Sequence, residues 1–162
     1  MQIFWYIKLH NYLIRRAEMN NIFGDILKEL MITNNLSAND IKNISDVNIS
    51  LVYKWLNNES IPYFRNIIKI ADYFNCSIDF LIGRTENFEN NYKKQLPLFS
   101  SQLKKIMKNR KISQYRLNLD THISRETLYN WSIDKRFPNI EHLIRLADYF
   151  DCSIDYLIGR ED

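Results

Sequence analysis

The chain has 162 residues, a formal net charge of +3 and 46% apolar residues. Its most apolar run, residues 3–14, is broken by polar side chains well short of the about 20 residues that a membrane span needs, so the sequence predicts no membrane protein. Glycine-rich phosphate loops, HExxH helices, paired cysteines and nucleophile elbows are absent from the sequence, so we expect no enzyme, no metal site and no cofactor.

An internal repeat with an offset of 76 residues organises the chain. Residues 71–84 read ADYFNCSIDFLIGR, residues 147–160 read ADYFDCSIDYLIGR, and 21 of the 64 aligned pairs in the full repeat are identical. Repetition at a fixed offset predicts two copies of one domain. The two cysteines are equivalent in the copies, which favours reduced thiols in a cytoplasmic protein over a disulfide.

Residues 1–20 precede the first copy, and we interpret them as an N-terminal extension. A start codon assigned too far upstream is the second interpretation. The repeat begins soon after Met19, and residues 15–18 are what a purine-rich ribosome-binding site would encode if it were translated. N-terminal sequencing of the native protein separates the two interpretations.

The first copy, residues 21–84, is predicted to be all helical. Apolar residues recur at helical spacing over residues 26–31 and again over residues 64–74. The predicted helix N-caps are Ser37, Asn48 and Ser77. A polar linker, residues 85–98, follows this copy.

The second copy, residues 99–162, follows the same plan of five short helices. A short helix is predicted from Gln114, a turn follows, and a further helix spans residues 125–131. The predicted N-caps are Ser113, Ser124, Asn139 and Ser153. The last helix is predicted to stop at Gly159, because glycine readily takes the left-handed conformation that ends helices.

Residues 113–132, SQYRLNLDTHISRETLYNWS, have the spacing of a helix-turn-helix. Followed by KRFP and LIRLADYFDCSIDYLIGR, they resemble the DNA-binding domain of the phage-repressor (Cro-like) and xenobiotic-response-element transcription regulators. Residues 27–81 resemble the same domain more weakly. The resemblance implies an all-α protein with two tandem five-helix lambda-repressor-like domains, of which the first is degenerate.

Two positions depart from the family pattern in both copies. A small residue is usual where this chain has Asn118 and Lys42, and glycine is usual where it has His122 and Asp46. We expect both changes to be tolerated, because Asp and His enter left-handed or bridging backbone more easily than most residues.

The two copies differ in net charge. From Phe99 to Phe150 there are ten Lys and Arg against five Asp and Glu, whereas from Phe23 to Phe74 there are five against six. Because duplex DNA is a dense line of negative charge, the second copy is predicted to be the DNA-binding one.

Specific contacts follow from the motif, whose second helix enters the major groove with its first residues facing base edges. The predicted base contacts are Arg125, Glu126, Thr127, Tyr129 and Asn130. By the resemblance, the predicted phosphate contacts are Ser113, Gln114, Lys135 and Arg136. Weaker candidates in the first copy are Ser50 and Lys54. The predicted partner is double-stranded DNA, and the predicted function is a sequence-specific, repressor-like transcription regulator of a bacterium or its phage.

Two further sets of residues carry interpretations of their own. Tyrosine and tryptophan recur at helical register in both copies, which predicts core packing rather than base stacking. These residues are Tyr53, Trp55, Tyr129 and Trp131. Five cations of the second copy fit a solvated helix face as well as a contact with the DNA backbone. They are Lys104, Lys105, Lys108, Arg110 and Lys111.

Other assemblies and functions stay open from the sequence. The first copy, or both, could be a protein-interaction module that keeps the scaffold without the basic face, because a fold does not dictate what its surface binds. The linker could stretch to about 50 Å, more than the about 34 Å between successive major-groove faces. One chain could therefore act as an intramolecular pseudo-dimer, and two chains could form a homodimer.

Overall fold

The computed structural model describes residues 22–88, 92 and 95–161, and the regular structure in these residues is helical throughout. The chain divides into two compact units, Met1–Phe88 and Glu89–Asp162, which are the first and second unit below. The all-α fold class is thus confirmed. The predicted N-terminal extension and five residues of the predicted linker lie outside the described residues. None of the described helices has the length and apolarity needed to cross a bilayer.

The first unit contains five helices in its described part. They are α1, described over residues 22–33, α2 (Ala38–Ser45), α3 (Ile49–Leu56), α4 (Phe64–Phe74) and α5 (Ile78–Leu81). Each helix contributes fully buried apolar side chains to one core, among them Leu27, Ile41, Trp55, Ile67 and Leu81. Burying a side chain of this size contributes about 1.5–3 kcal/mol, so dense packing compensates for the small size of the unit.

The second unit repeats this arrangement. Its helices are α6 (Phe99–Asn109), α7 (Gln114–Thr121), α8 (Arg125–Ser132), α9 (Ile140–Phe150) and α10 (Ile154–Ile158). The core again takes apolar side chains from every helix, among them Ile106, Leu117, Leu128, Leu143 and Leu157. Helices α7 and α8, joined by a three-residue turn, form the helix-turn-helix of this unit.

Seven of the described helices start at a capping side chain, as predicted. Every predicted cap accepts a hydrogen bond from a backbone N–H two or three residues later, which satisfies one of the free donors of the first turn. The caps are Ser37, Asn48, Ser77, Ser113, Ser124, Asn139 and Ser153. The seven predicted caps are therefore confirmed.

Five of the described helices end at a residue in left-handed backbone. His122 ends α7 at φ 56° and Asp46 ends α2 at φ 56°, so the expected tolerance at these turn positions is confirmed. Gly159 ends α10 at φ 80°, as predicted. The other departure also has a structural role, since the Asn118 side-chain amide donates to the carbonyl of Ile123 across the turn at 2.7 Å.

The prediction of core packing is correct for the tryptophans and wrong for the tyrosines. Trp55 and Trp131 are 0% and 2% exposed, whereas Tyr53 and Tyr129 are 54% and 59% exposed. Residues two apart on a helix lie on nearly opposite faces, so only one member of each Tyr-x-Trp sequence can face the core.

An ion pair between an aspartate and an arginine lies at the C-terminal end of each unit. Arg160 pairs with Asp155 in the second unit, and both side chains are almost completely buried. The equivalent pair in the first unit, Arg84 and Asp79, retains more exposure at the arginine. Removing one partner of a buried pair leaves an uncompensated charge, so these pairs fix the chain after α5 and α10.

Candidate nucleic-acid interface

Helix α7 is fixed to α9 by polar contacts. The Asp120 carboxylate accepts from Arg116 Nε at 2.7 Å and from the Tyr149 hydroxyl at 2.9 Å. Arg145 of α9 donates to the main-chain oxygen of Thr121 at 3.3 Å, at the end of α7. Burial, followed by the hydrogen bond to Asp120, raises the pKa of Tyr149, so the phenol stays a neutral donor. These contacts set the direction from which the chain enters the turn before α8.

The first turn of α8 exposes the residues predicted to contact bases. Arg125 and Glu126 are exposed, and among the described residues neither forms an ion pair. Thr127 is half-buried, and its hydroxyl lies 2.8 Å from that of the cap residue Ser124. Tyr129 is exposed one turn further along the same face as Arg125. Three of the five predicted base contacts thus lie on one solvent-facing stripe.

Asn130 differs from the other predicted base contacts because its side chain is only 8% exposed. A base-reading amide needs both its donor and its acceptor at the surface. Instead, the main-chain carbonyl of Asn130 accepts from the N–H groups of Lys135 at 2.9 Å and Arg136 at 3.4 Å. Asn130 therefore shapes the loop after α8, and we leave it out of the base contacts proposed below.

The loop after α8 holds two exposed cations in a fixed position. Asp134, in left-handed backbone at φ 53°, accepts from the Ser100 N–H at 3.0 Å and from its hydroxyl at 2.5 Å. Since Leu98 provides no side-chain cap, Asp134 is the side chain that caps the start of α6. Lys135 and Arg136 follow directly, both exposed and both without a carboxylate partner among the described residues.

The predicted phosphate contacts at the start of α7 are also exposed. Ser113 is the N-cap of α7, and its hydroxyl accepts from the Arg116 N–H at 3.1 Å. Gln114, the first helical residue, is exposed. A helix N-terminus presents free N–H groups and a partial positive charge, and both favour a phosphate at this position.

Most cations of the second unit are available to a polyanion. Of the ten Lys and Arg between Phe99 and Phe150, eight are exposed and have no carboxylate partner in the described part of the chain. They are Lys104, Lys105, Lys108, Arg110, Lys111, Arg125, Lys135 and Arg136. Two of the nearby acids are already engaged, Asp120 with Arg116 and Asp134 with Ser100.

The first unit presents a different surface at the equivalent positions. Ser50 and Lys54, its two weaker candidates, are exposed on α3. Ile49 stands where the second unit has Arg125, and Glu59-Ser60 stand where it has Lys135-Arg136. The first unit therefore has no cation at the positions of Arg125, Lys135 and Arg136.

Two exposed residues close to the predicted contacts were not identified from the sequence. Tyr115 is 60% exposed, and the Cζ of Arg125 lies 5.4 Å from its ring centroid. Ile133, directly after α8, is 51% exposed. Helical spacing from the buried Leu117 places position 115 away from the core, and this signal could have identified Tyr115.

Comparison with protein families matches both units. The model described as Cro/C1-type HTH DNA-binding domain matches residues 102–162, and the model described as Helix-turn-helix matches residues 27–81. The two matches do not overlap and together cover more than two thirds of the chain. No curated protein and no solved structure gives a significant match.

Proposed function

We propose, from the premise that this chain is a tandem helix-turn-helix protein with a Cro/C1-type domain in its second unit, that it is a sequence-specific, repressor-like transcription regulator. The observation that carries the proposal is that exposed cations flank α8. Arg125 lies at its start, and Lys135 and Arg136 lie just beyond its end. Eight residues of helix rise about 12 Å, close to the about 12 Å width of the major groove. With α8 in the groove, Arg125 at its start would thus reach the bases. Lys135 and Arg136 beyond its end would reach the phosphates.

Base reading is assigned to the exposed stripe of α8. Arginine donates two parallel hydrogen bonds to guanine, so Arg125 is proposed to read a G·C pair. Glu126 can accept from the amino group of cytosine, and Tyr129 lies at the edge of the same stripe. Thr127 is proposed mainly as part of the Ser124 cap, because its hydroxyl is already engaged there.

Affinity is assigned to phosphate contacts. Lys135 and Arg136, with Ser113 and Gln114 at the start of α7, are proposed to bind phosphates on either side of the groove. Each neutralised phosphate releases counterions and makes binding weaker at high salt. These contacts position the protein without reading sequence.

The first unit is proposed to contribute little to DNA affinity. Its described surface lacks the equivalents of Arg125 and of the Lys135-Arg136 pair. We propose residues 21–84 as this degenerate domain, residues 99–162 as the DNA-binding domain and residues 85–98 as the linker. Occupying a promoter with the second unit would block transcription, so a reporter behind the bound sequence should fall in expression.

The first test selects bound sequences from a random duplex pool with the full chain and measures affinity by fluorescence anisotropy. Arg125→Ala should cost about 1–3 kcal/mol on the selected site and relax the preference at one base pair. Lys135→Ala should lower the affinity for all duplexes by the same factor, because a phosphate contact does not depend on the base sequence.

The matched control for this test is Lys54→Ala, an exposed cation at the equivalent helix of the first unit. It should leave both affinity and preference unchanged. Selection that returns no enriched sequence, or an Arg125→Ala variant that binds as the wild type does, would contradict the proposed reading by α8.

A further inference from the structure

We propose that Tyr115 is a positioning residue for Arg125 and thereby sets the strength of the guanine preference at the base pair that Arg125 reads. This inference rests on the function proposed above and deepens it. It assigns specificity to a side chain on the first helix of the motif, outside the helix that enters the groove.

The contact joins the beginnings of the two motif helices. Tyr115 is the second residue of α7, and Arg125 is the first residue of α8. The 5.4 Å from Arg125 Cζ to the ring centroid is within the about 6 Å range of a cation–π interaction. Among the described residues, no other side chain makes a polar or aromatic contact with this guanidinium. The exposed ring is not part of the core, so its position is free to serve another role.

The physical effect is on the conformational freedom of the arginine. A free arginine side chain loses much rotamer entropy when it is held for two parallel hydrogen bonds. A ring against one face of the planar guanidinium restricts these rotamers beforehand, and it leaves the N–H groups at the edge free to donate. The bound geometry is then partly formed before DNA arrives.

The helix that carries the Tyr115 ring, α7, is held in place by side-chain hydrogen bonds. The Asp120 carboxylate joins α7 to α9 through Tyr149, and the Asn118 amide spans the turn to Ile123. The first unit has neither partner, since Asn39 and Ile49 stand at the positions of Tyr115 and Arg125. Both members of the contact are therefore specific to the unit that carries the cations.

The experiment measures anisotropy with the full chain on four duplexes, the selected site and its three variants at the base pair read by Arg125. Tyr115→Leu should lower the affinity for the selected site about two- to fivefold and leave the affinities for its three variants unchanged within error, so the preference shrinks. Tyr115→Phe keeps the ring face and should bind as the wild type does. Asn39→Leu, which places the same residue at the equivalent position of the first unit, should have no effect.

A double-variant cycle adds a readout that a merely structural role would not give. In the Arg125→Ala background, Tyr115→Leu should have no further effect, because the group that it positions is gone. Equal weakening of all four duplexes by Tyr115→Leu would overturn the inference. So would a Tyr115→Phe variant as weak as Tyr115→Leu, which would point to the hydroxyl on a phosphate.

Failure of the underlying function gives a different result. If the wild-type chain binds no duplex, or if Arg125→Ala leaves the preference intact, the proposed function fails and this inference fails with it. If Arg125→Ala loses the preference and Tyr115→Leu leaves it at the wild-type strength, only the role of Tyr115 is overturned.

Discussion

At the scale of single residues, Asp134 connects the stability of the second unit to its proposed DNA contacts. It caps α6 through Ser100, occupies left-handed backbone and directly precedes Lys135. The first unit uses Asn58 in the same way, with its side-chain oxygen 3.0 Å from the Gly24 N–H and its own φ at 59°. Two different side chains, a carboxylate and a carboxamide, thus each supply an acceptor oxygen that caps the first helix of the unit.

We predict that Asp134→Ala destabilises the second unit by about 1–2 kcal/mol, because it removes a helix cap and places alanine at positive φ. Asp134→Asn should keep most of the stability, as the residue at the equivalent position of the first unit does. The stabilities of both variants are measured by urea unfolding, with the hydrogen exchange of α6 amides as the readout for the second unit. Equal stabilities for the Ala and Asn variants would show that the cap contributes nothing.

At the scale of the helices, we predict that His142 in α9 makes the stability of the second unit depend on pH. It follows the Asn139 cap, and its ring lies 5.2 Å from that of Trp131. Burial lowers the pKa of His142, the charge of Arg145 lowers it further, and Glu141 opposes the shift. The first unit has a non-ionisable residue, Asn66, at this position.

The sign of the pH effect follows from this shift. The unfolded chain, with a histidine pKa of about 6.5, binds the proton more readily than the folded chain. The stability of the second unit should therefore be full above that pH and fall as the pH drops from there through the lower folded pKa of His142. Thermal unfolding between about pH 7 and pH 5 measures it, and His142→Asn should remove this part of the loss. A variant that loses as much stability as the wild type would exclude His142 as the cause.

Much of the helical architecture follows from local chemistry, which explains why the sequence predicted it well. Caps such as Ser113 and Ser124 act on N–H groups two or three residues away, and Gly159 ends a helix by its own backbone freedom. Side-chain burial depends on how helices pack, and the sequence predicted it less well. The exposure of Tyr129, the burial of Asn130 and the contact of Tyr115 with Arg125 all depend on the arrangement of α7, α8 and α9.

At the scale of the whole molecule, the duplicated scaffold carries two different surfaces. Side-chain caps begin α2, α3 and α5 and also their counterparts α7, α8 and α10, and the left-handed residue that ends α2 and α7 and the terminal ion pair recur in both units. The two units thus share a scaffold and differ in surface. The second unit has ten Lys and Arg against five acids between Phe99 and Phe150, and the first has five against six in the equivalent stretch. The central claim is that this difference makes the second unit the DNA-binding one.

The most direct test of this claim is the salt dependence of duplex binding by the full chain. The wild type is compared with two variants that each lose two exposed positive charges, Lys135→Ala/Arg136→Ala in the second unit and Lys42→Ala/Lys54→Ala in the first. Losing two phosphate contacts should reduce the slope of log K against log salt by about 1.8, because each contributes about 0.9. We predict this reduction for the second-unit variant and a wild-type slope for the first-unit variant. Equal slopes for the two variants, or a reduction confined to the first unit, would contradict it.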